Sequence, residues 1–139
     1  MDIDLQIIDE GYVARVTGRL GIENAMPFWE TIQQHRPDGG YAFGIVDVRN
    51  GETPLLDRWP PEQDAYEVLQ PAVRLLRQSL RSGFRFGFVT RHRYAQAMMD
   101  DLAELTRLDS LRSGTDGRQG RRFDDLEAAL AWCRGEADG

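Results

Sequence analysis

Tyr41-Ala42-Phe43-Gly44-Ile45-Val46-Asp47-Val48 is apolar on both faces apart from Asp47. A strand of that composition is covered on both sides, as at the centre of a parallel sheet. The turn signal Pro37-Asp38-Gly39-Gly40 precedes it and Arg49-Asn50-Gly51 follows it. Upstream, Ile3, Leu5 and Ile7 alternate with Asp2, Asp4 and Gln6. Tyr12, Ala14 and Val16 then alternate with Val13, Arg15 and Thr17 over 12–20. With Asp9-Glu10-Gly11 between them, these two stretches predict a β-hairpin.

Helices fill the gaps between the strands. Ile22, Ala25, Trp29 and Ile32 recur at helical spacing and predict a helix over 23–35, with Pro27 in its first turn. His35 and Arg36 suit its C-terminal end, where positive charge is favourable. Ala65, Leu69, Ala72, Leu76 and Leu80 predict a second helix over 62–81, bent or divided at Pro71 and ended by Ser82-Gly83. Phe84, Phe86 and Phe88 alternate into another strand. Thr90 is placed to cap a third helix over 91–106, with a core stripe of Ala95, Met98, Leu102 and Leu105. A short strand is expected near 121–123. In the last helix Asp124 is the expected cap, with Glu127 returning to the backbone. Leu126, Ala129, Leu130 and Cys133 form that helix's apolar stripe.

The result is an α/β fold: a mixed sheet of four to five strands with an N-terminal hairpin and about four helices, in one domain over 1–134 with a frayed tail at 135–139. The length of 139 residues suits a single core.

Composition excludes several chemistries. All 17 basic residues are arginine, so no P-loop lysine or Schiff-base lysine exists. One cysteine, Cys133, rules out an internal disulfide and a cysteine-rich zinc site. His35 and His92 are the two histidines. They provide little for a metal centre, and neither a metal nor a cofactor is expected. The net charge of −6 argues against nucleic-acid binding. The acidic start lacks the basic region of a signal peptide, and apolar runs such as 41–46 are too short for the ~20 residues that span a bilayer, so a cytoplasmic protein without a membrane partner is expected. Charge is uneven: residues 71–99 hold six arginines and no acid. A solvated face is the simplest account of that run.

The order of elements resembles the STAS domain, named for sulfate transporters and anti-sigma-factor antagonists, in its stand-alone form of the SpoIIAA-like kind. The resemblance spans almost the whole chain. It rests on the 13–20 strand followed by Gly21-Ile22-Glu23-Asn24-Ala25, on Ile45-Val46-Asp47-Val48, on Phe88-Val89-Thr90 entering a helix, and on the closing stretch from Phe123 to Trp132. It implies a regulatory module that binds a protein partner, possible as a homodimer, and has no enzymatic activity. The family's phosphorylated serine follows the third strand. Here no serine occurs between Arg49 and Gln78, and Thr53 is the only hydroxyl in the turn. The phosphoswitch is therefore not expected.

Two strand ends are candidate ligand sites. Arg49 and Asn50 lie at one; Thr90, Arg91, His92 and Arg93 lie at the other. Arginines beside a helix start suit an anion. The alternative function is thus a small-ligand binder, for an apolar or anionic molecule, with its pocket under the 49–61 loop. Leu55, Leu56 and Trp59 make that loop unusually apolar, which marks an interface candidate. Asp47 and His92 are the residues an acid–base enzyme would have to use.

Overall fold

The structure, a computed structural model, describes residues 1–54, 67, 70–72, 74, 80–92, 94–97 and 120–135. Its strands are β1 (Asp2–Ile8), β2 (Gly11–Arg19), β3 (Tyr41–Asp47), β4 (Gly51–Glu52), β5 (Leu80–Val89) and β6 (Gly120–Phe123). A 3-10 turn at Ile22–Asn24 leads into α1 (Ala25–Gln34), and α2 (Leu126–Cys133) follows β6. Helical residues also occur at 70–72 and 95–97. None of the described helices is long and apolar enough to cross a membrane.

The sheet runs β1-β2-β3-β5-β6, with β4 attached to β2. β1 and β2 form the antiparallel hairpin, in register from Asp2 opposite Thr17 to Ile8 opposite Gly11. Asp9 turns its corner at φ 54°, a left-handed conformation that aspartate tolerates better than most residues. From β2 onward the neighbours are parallel. The double-sided apolar run of β3 sits at the centre, with Ile45 and Val46 both buried.

Each face carries its own core. Tyr12, Ala14, Val16, Val46, Phe84 and Phe88 join Phe28 and Ile32 of α1 on one side. Val13, Ile45, Val89 and Phe123 join Ala129 of α2 on the other. Tyr12 and Tyr41 pack edge to face at 4.7 Å. Their contact needs Gly44, because a Cβ there would run into the Tyr12 ring. Tyr41 donates its hydroxyl proton to the Ile32 carbonyl at 2.6 Å. The Tyr12 hydroxyl is buried and has no hydrogen-bond partner among the described residues.

Several boundaries differ from the sequence expectation. The helix over 62–81 was expected to include Leu80 and Arg81, yet both belong to β5. Leu80 pairs with Tyr41 at the start of β3, and an irregularity before the Phe43–Arg85 pair absorbs the extra residues. Ser82-Gly83 therefore lies inside a strand and does not end a helix. In α1 the buried residues are Phe28 and Ile32, with Trp29 half-buried. The opening 3-10 turn winds more tightly than an α-helix and shifts the phase of the expected stripe. Among the described residues the sheet has six strands, since β4 adds a two-residue piece to the expected four or five.

The cap of α2 is Asp125, whose carboxylate accepts the Ala128 N–H at 2.8 Å. The expected cap, Asp124, pairs instead with Arg122 at 2.8 Å. Two adjacent aspartates offer the same chemistry, and the backbone of Asp125, extended at φ −140°, takes the capping position. Arg85 departs from the expectation of a solvated arginine face. It lies 5.3 Å over the Trp132 ring and donates to the Trp132 carbonyl, where a cation suits the end of α2. His35 caps α1 as expected: its ring Nδ1 donates to the Thr31 carbonyl at 3.1 Å. The tail beyond Gly135 lies outside the described residues.

Candidate functional site

The carboxyl ends of β3 and β5 are neighbours, because Asp47 pairs with Val89. Beyond that pair the two chains diverge around a cleft of about 610 Å³. Val48, Arg49, Asn50, Gly51 and Thr53 line one wall; Thr90, Arg91 and His92 line the other.

The first wall is shaped by a mismatch in residue count. β3 runs beside β2 as far as Arg15 opposite Asp47. β4 resumes beside the same strand with Gly18 opposite Gly51. Two residues of β2 thus face three of the neighbouring chain, Val48, Arg49 and Asn50. The extra residue makes a bulge, which re-aims side chains at a strand end. Gly51 then re-enters the sheet so close that a Cβ would stand 3.0 Å from the Gly18 carbonyl oxygen. The Leu20 N–H donates to the Glu52 carbonyl at 2.8 Å and extends the pairing.

Arg49 fixes the bulge. Its guanidinium grips Asp47 with two hydrogen bonds, Nη2 to Oδ2 at 2.7 Å and Nε to Oδ1 at 3.0 Å. Its backbone N–H donates to the same carboxylate at 3.1 Å. Burial alone would push the Asp47 carboxyl up, but the bonds from Arg49 outweigh it and hold the group below its ordinary value. Asp47 is 5% exposed, while the Arg49 side chain keeps about a third of its surface in solvent.

The second wall hangs from β6. Thr90 is buried; its N–H donates to the Phe123 carbonyl at 3.1 Å, and its carbonyl accepts from Arg122 Nη1 at 2.7 Å. The Thr90 hydroxyl accepts the His92 N–H at 3.1 Å. His92 Nδ1 in turn accepts the Tyr94 N–H at 3.3 Å. The first described helical residue after this turn is Ala95, so Thr90 shapes a turn where it was expected to cap a helix over 91–106. Its backbone stays bonded to the end of β6 through the Phe123 carbonyl.

The cleft therefore gathers five of the residues singled out from sequence: Arg49, Asn50, Thr90, Arg91 and His92. Arg93 and the interface candidates Leu55, Leu56 and Trp59 lie outside the described residues. Val48, Gly51 and Thr53 also line the cleft and were not singled out as ligand residues. Their signal was the turn Asn50-Gly51 itself, which places its flanks at the same strand end. Asp47 is not among the residues that line the cleft beside His92, and its carboxylate is held by Arg49.

No family model matches the sequence. No curated protein matches it either. Among solved structures, an anti-sigma factor antagonist from Mycobacterium paratuberculosis superposes with a TM-score of 0.55 over 96% of this chain and 93% of the other. A candidate anti-sigma factor antagonist from Thermotoga maritima superposes with a TM-score of 0.54 over 95% and 94%. Both are 17% identical to this chain. The chain has the fold of the anti-sigma factor antagonists. The STAS-like arrangement read from the sequence is therefore the architecture of the molecule.

Proposed function

We propose that this protein is a non-enzymatic regulatory module that binds a partner protein without a phosphoswitch. The observation that carries this reading is the near full-length likeness to two structures described as anti-sigma factor antagonists. Two features of the chain qualify it. The turn after β3 contains no serine, and it is fastened by the Asp47–Arg49 pair and by β4 against β2. A turn held in this way presents one fixed surface.

The partner is an anti-sigma-type protein, and the apolar 55–59 segment is the proposed contact. Co-expression with anti-sigma factors encoded by the same genome should give a stable complex in size-exclusion chromatography with light scattering. The complex should persist with Thr53→Glu and weaken with L55D/W59A. A complex abolished by Thr53→Glu alone would show that the turn is a charge switch after all. Failure of every such pair to associate would sink the partner reading, and light scattering of the protein alone would then report whether its partner is a second copy. A substrate screen in which wild type turns over a compound and His92→Ala does not would establish an enzyme instead.

A further inference from the structure

Partner binding leaves the cleft unassigned. Its eight described lining residues include two arginines and a histidine and no carboxylate. The charge on Arg49 is already matched by Asp47 through a bidentate contact. Arg91, exposed on the opposite wall, is the cation whose charge is not matched by a described ion pair. Asn50 and Thr53 line the first wall, and their side chains hold no described hydrogen bond.

From these positions we propose that the cleft binds the oxyanion group of a small solute, a phosphoryl or carboxylate group, with Arg91 as its charge partner and Asn50 and Thr53 as neutral donors. Arg49 acts as a positioning residue: it holds the bulge that carries Asn50 to the cleft wall. The volume of about 610 Å³ is within the ~300–1,000 Å³ range of ligand pockets, so the anionic group would be one end of a larger molecule. This site stands independently of the partner reading, because it requires no second protein.

The test uses the full chain and two probes, inorganic phosphate and acetate, followed by amide and side-chain NMR shifts. Saturable shifts should centre on residues 50–53 and 91–92 with one or both probes; the tighter probe identifies the class of group. Arg91→Ser should weaken the apparent affinity about two- to fivefold, as expected for loss of one exposed charge contact. Asn50→Ala should weaken it by a smaller factor. Sodium chloride at matched ionic strength should leave these shifts in place. The proposal falls if neither probe moves residues 50–53 and 91–92, if chloride produces the same shifts, or if both variants titrate like wild type while their remaining spectra show an intact fold.

Discussion

Tyr12 and Tyr41 touch each other, yet their hydroxyls are in opposite situations. Tyr41 donates to the Ile32 carbonyl, whereas the Tyr12 hydroxyl is buried with no partner among the described residues. A buried polar group without a partner loses its water and gains nothing in return. Tyr12→Phe should therefore leave stability unchanged or raise it by about 1 kcal/mol, while Tyr41→Phe should lower it by about 1 kcal/mol. Urea denaturation of both variants measures the contrast; equal losses would contradict it. Asp47 and Arg49 give a second asymmetric pair. Removing Arg49 leaves a buried carboxylate without its cation, whereas removing the charge of Asp47 leaves an arginine that can turn to water. Arg49→Gln should cost more than Asp47→Asn, by about 1–2 kcal/mol.

The pH dependence of that pair follows in sign. The folded Asp47 carboxyl sits below its ordinary value, so its contribution is complete above the unfolded value near 3.8 and is lost as pH falls through the lower folded value. In Arg49→Gln burial prevails, the folded value rises above the unfolded one, and the same carboxyl destabilises the protein as pH rises. Denaturation midpoints between pH 3 and 7 should thus slope in opposite directions at this site, measured relative to Asp47→Asn. Cys133 takes no part in such chemistry. Burial, opposed by Arg85, pushes its thiol up to about 12, so it packs as a small apolar side chain.

Among the elements, glycines in two strands permit very different packing. A Cβ at Gly44 would enter the Tyr12 ring, which is itself fully buried. A Cβ at Gly87 would meet Ala129 and Ile45 at 3.4 Å, an ordinary contact. Gly44→Ala should cost at least about 2 kcal/mol by overpacking, and Gly87→Ala less than about 1 kcal/mol. Thermal denaturation compares them directly; equal shifts would mean that the Tyr12 ring relaxes freely. At this scale much of the fold was legible. The apolar run of β3 identified the centre of the sheet, and the two-residue alternation of β1 and β2 identified the hairpin. What could not be read was anything that depends on register between distant strands. The bulge at Val48–Asn50 exists only as a difference in count between β2 and its neighbour. The limits of β5 depend on Leu80 finding Tyr41. The Asp47–Arg49 pair was nearer to hand, because its two members are only two residues apart at the exit of β3.

For the molecule as a whole, the two outer strands are managed differently. At β6 the Gln96 side chain accepts the Arg122 N–H at 3.1 Å and so occupies a backbone donor. At β1 the pairing with β2 leaves the other edge without a described strand, and Asp2 and Asp4 are exposed along it. Charges on an edge discourage pairing with another chain. Replacing both, as in D2T/D4T, should produce concentration-dependent association by light scattering, with the wild type unchanged at the same concentrations. The candidate site was half legible at this scale. Its two strand ends were each recognisable from local turn residues, but their meeting in one cleft required the parallel pairing of β3 with β5.

That parallel pairing also sets how the chain must find its structure. The hairpin closes between near neighbours in sequence, but β3 joins β2 across some thirty residues and β5 across some forty. Long loops must close before those contacts return any free energy, which slows folding relative to locally wired proteins. The hairpin is the one part of the sheet that can form by itself at an early time, and it already presents Tyr12, Ala14 and Val16 as an apolar template. Arrival of β3 on that template is the step at which the Val48–Asn50 bulge first acquires a shape, and the cleft closes its second wall only when β5 pairs with β3.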